Sequence, residues 1–287
     1  MAVLMEGKIV AEKIRGELKK DMAKLKAESR RAPKLCTISI GSSAAGQVYL
    51  KSQSRACSDI GIEHSILTLD PGIRQDELVA AIGELNRDPQ VTGIMIQSPL
   101  PGDLNMEKAV FSIAPAKDAE GLHPENLGKL VLGHPRVVPC TAQACLELLH
   151  HYHVKLYGKE AVIVGHSVLV GKPLSLLLLK EFATTTVCHI ATSEAEKLRD
   201  HVITADILVV AVGKANLIPG SWIKPGAVVI DVGINKSGEG LVGDVEFTEA
   251  GKKASHITPV PGGVGPLTVT ILLKNICELF KESVRKG

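Results

Sequence analysis

A chain of 287 residues with 45% hydrophobic and 22% charged residues has the composition of a globular protein and the length for two domains rather than one. Its formal net charge of +2 is too small a field to make nucleic acid or an anionic membrane the main partner. The six cysteines (Cys36, Cys57, Cys140, Cys145, Cys188, Cys277) form no CxxC pair or regular framework. They read as reduced thiols that act as small hydrophobes in apolar surroundings.

The amino terminus lacks the charged-then-apolar build of a signal peptide, and no apolar run is long enough to cross a bilayer. A cytoplasmic protein is therefore expected. His150, His151 and His153 crowd together, but no carboxylate or cysteine completes a metal-ligand set at a recognisable spacing. A histidine-bearing helix end is the expectation there, with no metal site.

In chain order, residues 6–31 carry Ile9, Val10, Ile14, Leu18, Met22 and Leu25 at helical spacing, and Pro33 stops the pattern. The basic side chains of this helix, interleaved with acidic ones, read as a solvated face. Strands are predicted over 35–40, 62–69 and 91–96, with helices over 47–59 and 74–87 between them. This βαβαβ order implies a parallel sheet with helices on its faces. From 105 to 139 a short helix gives way to loops rich in Gly, Pro and His, and a helix over 141–152 connects to a second alternating series. That series has strands at 161–164, 185–190, 207–212 and 227–232, with helices at 173–182 and 194–200. A long apolar helix over 266–284 closes the chain.

The turn after the strand at 161–164 carries Gly165 and, six positions later, Gly171, with Pro173 suited to the first helical turn. Strand, glycine turn and helix can hold a phosphate on the helix N-terminus, although the spacing Gly-x-Ser-x-x-x-Gly is not the usual Gly-x-Gly-x-x-Gly. An ordinary tight βα turn is an equally good reading of these residues alone. In open parallel sheets ligands gather outside the carboxyl ends of the strands. Those ends fall at Gly41–Gly46, Gln97–Pro101, Gly165–Gly171, Gly213-Lys214, Asp231–Asn235 and the run Pro259-Val-Pro-Gly-Gly-Val-Gly-Pro266. Three glycines and three prolines in eight residues specify a backbone that a helix start does not need, which favours a substrate-contacting loop.

Several of these segments occur together, in order, in one known family. They are Gln97-x-Pro99-Leu100-Pro101, Gly165-x-Ser167-x-x-Val170-Gly171-x-Pro173, Asp231-Val-Gly-Ile-Asn235, Val242-Gly-Asp-Val245 and Pro261-Gly-Gly-Val-Gly-Pro-Leu-Thr268. Across essentially its whole length the chain resembles the methylenetetrahydrofolate dehydrogenase/cyclohydrolase family of the bacterial FolD type. The resemblance implies an α/β fold of two α/β domains around a cleft, the second a Rossmann-type dinucleotide-binding domain. Residues 1–140 and 266–287 would form the folate-binding domain and residues 141–265 the NAD(P)-binding domain, in a homodimer. It further implies oxidation of 5,10-methylenetetrahydrofolate to the methenyl cation by hydride transfer to NADP or NAD, then hydrolysis to 10-formyltetrahydrofolate.

Carried over position by position, the resemblance puts Tyr49, Gln53, Gln97 and Glu120 at the catalytic positions. Tyr49, Pro99, Leu100, Glu120, Pro261, Gly262, Gly263 and Pro266 would bind substrate. Gly165, Ser167, Val170 and Gly171 would cradle the cofactor's pyrophosphate, with Val212, Gly213 and Ile234 near its adenosine and nicotinamide portions and Thr268 also on the cofactor side. His166 and Ile190 stand where NADP-using relatives often place Arg or Ser. His166 can still meet a 2′-phosphate and Ile190 cannot donate to one, so NADP is expected slightly ahead of NAD.

The departures from the family pattern cluster on the folate side. The lysine four positions after the tyrosine is Gln53, on the same helical face as Tyr49, while Lys51 points away by about 200°. Glu120 in Lys117-Asp-Ala-Glu-Gly121 replaces an aspartate, Ser98 replaces a leucine, and Ser43-Ala-Ala-Gly46 replaces Asp-Pro-Ala-Ser. An amide cannot exchange a proton as an amine does, whereas hydride transfer depends on positioning. The expectation is a dehydrogenase whose cyclohydrolase activity is weak or lost. The alternatives are a fully bifunctional enzyme, a non-catalytic folate- or dinucleotide-binding relative, and an unrelated two-domain dehydrogenase of small acids. Only the last of these would not be expected to carry the Pro261–Pro266 loop.

Overall fold

The structure, a computed structural model, describes residues 2–41, 44–238 and 240–286. Ser42 and Ser43, part of the expected strand-end segment Gly41–Gly46, lie outside the described residues.

Strand β1 (Val3–Leu4) precedes α1 (Gly7–Ser29), and then β2 (Lys34–Ile40), α2 (Ala44–Ile60), β3 (Glu63–Leu69), α3 (Gln75–Arg87) and β4 (Gly93–Ile96) alternate. Next come α4 (Met106–Phe111), α5 (Pro124–Val131) and α6 (Cys140–His151). The second series is β5 (Glu160–Val164), α7 (Gly171–Lys180), β6 (Thr184–Cys188), α8 (Ile190–Glu194), α9 (Leu198–Val202), β7 (Ile207–Val210) and β8 (Val228–Asp231). It ends with β9 (Asn235–Ser237), β10 (Gly240–Val242), α10 (Phe247–Lys253), β11 (His256–Ile257) and α11 (Val264–Lys286).

Two compact units result, one of residues 14–138 and 269–287, the other of residues 1–13 and 139–268. The first holds a three-stranded parallel sheet in the order β3-β2-β4. As the middle strand, β2 is buried on both faces through Leu35, Cys36, Thr37, Ile38 and Ser39. Ile38, Ile94 and Ile96 pack on Leu78 and Ile82 of α3 and on Ala109 and Val110 of α4. The order changes direction at β2, so the crevice for a ligand opens where β2 and β4 end, at Gly41 and Gln97.

The second unit holds a six-stranded sheet in the order β1-β11-β8-β7-β5-β6, every pair parallel. The chain runs from β5 outward to β6 and then returns to β7 on the other side, so the switch point lies between β5 and β7. Their carboxyl ends are Val164-Gly165 and Val210-Ala211. The hairpin β9–β10 is the one antiparallel pair among the described strands.

Three sequence expectations change. Residues 194–200 are not one helix: α8 starts at Ile190, and Glu196, with φ 58°, separates it from α9. Strand β6 accordingly ends at Cys188, and Ile190 is a helix residue, 71% exposed. Helix α7 opens at Gly171, two residues before Pro173, which sits within the first turn where its missing N–H costs nothing. The short elements β1, α5, β9, β10, α10 and β11 were not anticipated. Among the described residues no helix is long and apolar enough to cross a membrane.

Candidate active site

In the unit of residues 14–138 and 269–287, a cavity of about 730 Å³ opens at the ends of β2 and β4. Tyr49, Gln97, Pro99, Leu100 and Glu120 line it, so these expected folate-side residues meet in one place. Pro101 of the same motif lines it, as do Ser39, Met95 and Pro71, which the sequence does not single out.

Gln53 is the exception. Helix α2 carries it on the Tyr49 side, but one turn deeper, where it is fully buried and absent from the cavity wall. Its Oε1 accepts from Thr37 Oγ1 at 3.0 Å and its Nε2 donates to Met95 Sδ at 3.0 Å. Lys51 is exposed on the opposite side, as its helical offset requires. Gln97 is oriented separately: Ser39 Oγ donates to its Oε1 at 2.7 Å and its Nε2 donates to the Gly46 carbonyl at 3.1 Å. The two glutamine amides are thus each tied to other groups and not to one another.

The fourth expected residue is held by a loop that Asp118 organises. Asp118, 1% exposed, accepts from the backbone N–H groups of Glu120, Gly121 and His123 and from Asn126 Nδ2 at 2.8–3.2 Å. Burial, and then the neighbouring Asp118 charge, raise the Glu120 carboxyl to about 8, against a hydrogen bond from the Ile96 backbone. At neutral pH Glu120 is therefore predominantly a neutral acid, able to donate a hydrogen bond as well as accept one. The sequence signal for Asp118 is only a carboxylate three residues before Gly121, which does not distinguish a loop clasp from a ligand.

In the unit of residues 1–13 and 139–268, a cavity of about 510 Å³ lies at the switch point between β5 and β7. Gly165, His166, Ser167, Ile190 and Val212 line it, joined by Lys172, His189, Ser193 and Lys214. Gly165 adopts φ 122°, and a Cβ on it would lie 2.4 Å from the Ala211 carbonyl oxygen. A Cβ on Gly171 would lie 1.8 Å from the Gly165 carbonyl oxygen, so Gly171 serves close packing of the helix start on the turn. Val170 is buried, and its N–H donates to Ser167 Oγ at 3.2 Å, which fixes the turn from inside. Gly171 and Val170 therefore shape the cradle without lining it. His189, missed in the sequence because it seemed a strand residue, stands with its ring 5.4 Å from that of His166.

A buried pair of carboxylates ties this region together. Asp244 Oδ2 accepts from the N–H groups of Val212 (2.7 Å) and Gly213 (2.9 Å), and its Oδ1 from Asn235 Nδ2 (2.9 Å). Asp231 accepts from the N–H groups of Gly233, Asp244 and Val245 at 2.8–3.0 Å. Burial raises the Asp231 carboxyl to about 6 against these three donors, with Asp244 adding a smaller push. The N–H groups of Val212 and Gly213 are thus committed to Asp244.

The remaining expected residues assemble in a third cavity of about 250 Å³. Pro261, Gly262, Gly263 and Pro266 line it together with Ile234 and Thr268. Loop residues expected to touch substrate thus share one wall with residues expected to touch cofactor, all within this unit.

These features fit a dinucleotide. The switch-point cavity pairs a glycine-bounded turn at a helix N-terminus with Lys172, Lys214 and the imidazoles of His166 and His189, donors suited to phosphate groups.

Known proteins agree with this reading. Residues 5–120 match the family model of the tetrahydrofolate dehydrogenase/cyclohydrolase catalytic domain, and residues 139–284 that of the tetrahydrofolate dehydrogenase/cyclohydrolase NAD(P)-binding domain. Bifunctional protein FolD 2 of Geobacter sulfurreducens is 45% identical over 282 residues, covering 98% of both chains. The crystal structure of the bifunctional FolD methylenetetrahydrofolate dehydrogenase/cyclohydrolase of Campylobacter jejuni superposes with TM-score 0.93 at 41% identity, covering 98% of this chain and 99% of that one. The Trypanosoma brucei FolD structure, complexed with NADP and an inhibitor, gives TM-score 0.94 at 40% identity over 99% of both chains. The chain belongs to the tetrahydrofolate dehydrogenase/cyclohydrolase family.

Proposed function

We propose that this protein is a 5,10-methylenetetrahydrofolate dehydrogenase, using NADP ahead of NAD, whose hydrolysis of the methenyl product is weak or lost. The observation that carries this is Gln53: at the position of the family's proton-handling lysine stands a neutral amide, fully buried and engaged with Thr37 and Met95. Such a group neither lines the cavity nor exchanges a proton with water.

Oxidation has different needs. The nicotinamide, when bound, supplies the hydride acceptor, and the carbon that loses the hydride becomes a methenyl cation with its charge shared by the two flanking nitrogens. The chain's part is to place the reactants and exclude competing water. Tyr49, Pro99 and Leu100 provide apolar and aromatic walls for the pterin, Gln97 presents an amide held from two sides, and protonated Glu120 offers a donor to the ring. Keeping Glu120 neutral also avoids a full negative charge in the cavity, which would favour the cation's retention over its release. Lys172 and Lys214 bring positive charge to the cofactor cavity and His166 and His189 bring further hydrogen-bonding groups, which together favour the extra phosphate of NADP. The same reading includes residues 1–140 with 266–287 as the folate domain and 141–265 as the cofactor domain, in a cytoplasmic homodimer.

A fully bifunctional enzyme is the second reading. The relatives' names favour it, as does the presence of Tyr49 and Gln97 in one cavity. Absorbance during turnover of methylenetetrahydrofolate with each cofactor separates the two. Accumulation of the methenyl product, faster with NADP than with NAD, is expected. Hydrolysis of added methenyltetrahydrofolate as fast as the dehydrogenase step would overturn the proposal.

A further inference from the structure

We propose that Thr37 and Ser39 are positioning residues that lock the two glutamines, so that loss of hydrolysis is enforced by three positions and not by Gln53 alone. This rests on the dehydrogenase reading above, and the test below separates the two.

Thr37 and Ser39 are two apart on β2, so their side chains leave the same face of the strand. Both are buried, at 0% and 6% exposure, in the middle strand of a parallel sheet, where apolar residues are the rule. A buried hydroxyl is tolerated only when its hydrogen bonds are made, and each of these makes them to a glutamine oxygen. Thr37 Oγ1 gives its single proton to Gln53 Oε1 and then has only lone pairs left for His64 Nε2, 2.9 Å away. His64 Nε2 must therefore carry a proton, and Nδ1 is left to accept from Ser54 Oγ at 2.7 Å. Burial lowers the His64 pKa, which favours this neutral form. The chain Ser54, His64, Thr37, Gln53, Met95 is thus satisfied at every link, with one direction of donation throughout.

The second lock is simpler. Ser39 Oγ lies 2.7 Å from Gln97 Oε1 and 3.4 Å from the Gly41 carbonyl, and its one proton goes to the nearer oxygen. Gln97 Nε2 goes to the Gly46 carbonyl, so the amide cannot turn over without losing both bonds.

An amine introduced at position 53 would enter this arrangement. The Thr37 hydroxyl oxygen, which now bonds Gln53, is an acceptor on the buried side, and the carbonyl oxygen of Gln97, on the cavity side, already spends one of its two lone pairs on Ser39, which fixes its direction. The ammonium would be held beneath the cavity wall beside Met95, away from the carbon that water must attack. Removing the Thr37 hydroxyl deletes the buried acceptor, and removing the Ser39 hydroxyl frees the Gln97 oxygen.

The experiment measures methenyltetrahydrofolate hydrolysis by the full-length protein and four variants, with circular dichroism as a check on folding. Gln53→Lys alone is expected to stay within about threefold of the parent, and Thr37→Val/Ser39→Ala/Gln53→Lys to exceed it by at least about thirtyfold. Thr37→Ser/Gln53→Lys, which keeps the hydroxyl, is expected to remain at the Gln53→Lys level, an outcome that a merely packing role for Thr37 does not produce. Should the triple variant fail to fold, Thr37→Val/Gln53→Lys carries the test, with at least about tenfold gain over Gln53→Lys expected. Full activity in Gln53→Lys alone, or none in a folded variant lacking the hydroxyls, overturns the lock and leaves the dehydrogenase reading standing. Rapid hydrolysis by the parent overturns that reading itself.

Discussion

Glu120 shows what one carboxyl can do when its surroundings hold it neutral. Its pKa, raised from the usual carboxylate range to about 8 by burial and by Asp118, ties stability to pH with a definite sign. A carboxyl raised in the folded state contributes stability that is fully present below its unfolded value near 4.5 and is lost as pH rises through about 8. Glu120→Gln keeps the shape and hydrogen-bonding ends but cannot ionise. The melting temperature of the parent should therefore fall relative to Glu120→Gln by a few degrees between about pH 6 and pH 9. Parallel melting curves across that range would show that Glu120 is ionised in the folded protein. The same residue marks a limit of the sequence. Its place in Lys117–Gly121 identified the position, but the environment that makes it an acid depends on Asp118 and on a cavity wall formed by residues 39–41 and 95–101.

The elements that were legible are those with a strong apolar signature. Val162, Ile163 and Val164, and likewise Leu208, Val209 and Val210, are buried runs that could only be central strands, and they place the switch point. The elements that were not legible are short or depend on distant partners. Two residues such as His256 and Ile257 carry no periodicity, and their strand exists because Val3-Leu4 and Val228-Val229 flank it. Helical spacing put Gln53 on the Tyr49 face correctly but says nothing of depth, and depth decides whether the side chain meets substrate. Asp244 illustrates the same gap: in sequence it is one member of the motif Val242-Gly-Asp-Val245, and the structure shows it tying the turn after β7 to the start of β9. Asp244→Asn turns an NH₂ group toward donors that need an acceptor. It is expected to cost about 2–4 kcal/mol in unfolding free energy. Because the Val212-Gly213 turn loses its anchor, the KM for NADP should rise by at least about tenfold while the KM for methylenetetrahydrofolate changes less than about threefold. Equal rises in both would assign Asp244 to general stability and not to the cofactor turn.

At the scale of the whole chain, continuity in sequence and compactness in space diverge. The division between units falls inside α1 after Lys13 and inside α11 after Thr268. Residues 1–13 group with 139–268 because β1 adds to the edge of the six-stranded sheet, which no local pattern near the amino terminus announces. The six cysteines sample both units evenly: Cys36, Cys57 and Cys277 in one, Cys140, Cys145 and Cys188 in the other. All six are buried thiols outside any disulfide. Burial raises Cys57, Cys145 and Cys277 to about 12 and pushes Cys36 and Cys188 upward as well. A thiol reagent needs both access and thiolate: burial denies it access to all six, and the raised pKa of the five thiols just named denies it thiolate there. With an aromatic disulfide reagent at about pH 8, the native protein should release less than about one equivalent of chromophore within minutes, and the protein in strong denaturant all six. Tracked through a denaturant series, the count also reports on cooperativity. Six thiols appearing in one transition means the units unfold together, and a plateau at three means that one opens first. Rapid reaction of any thiol in the native protein would contradict the packing around that cysteine, and mapping the labelled site would say in which unit.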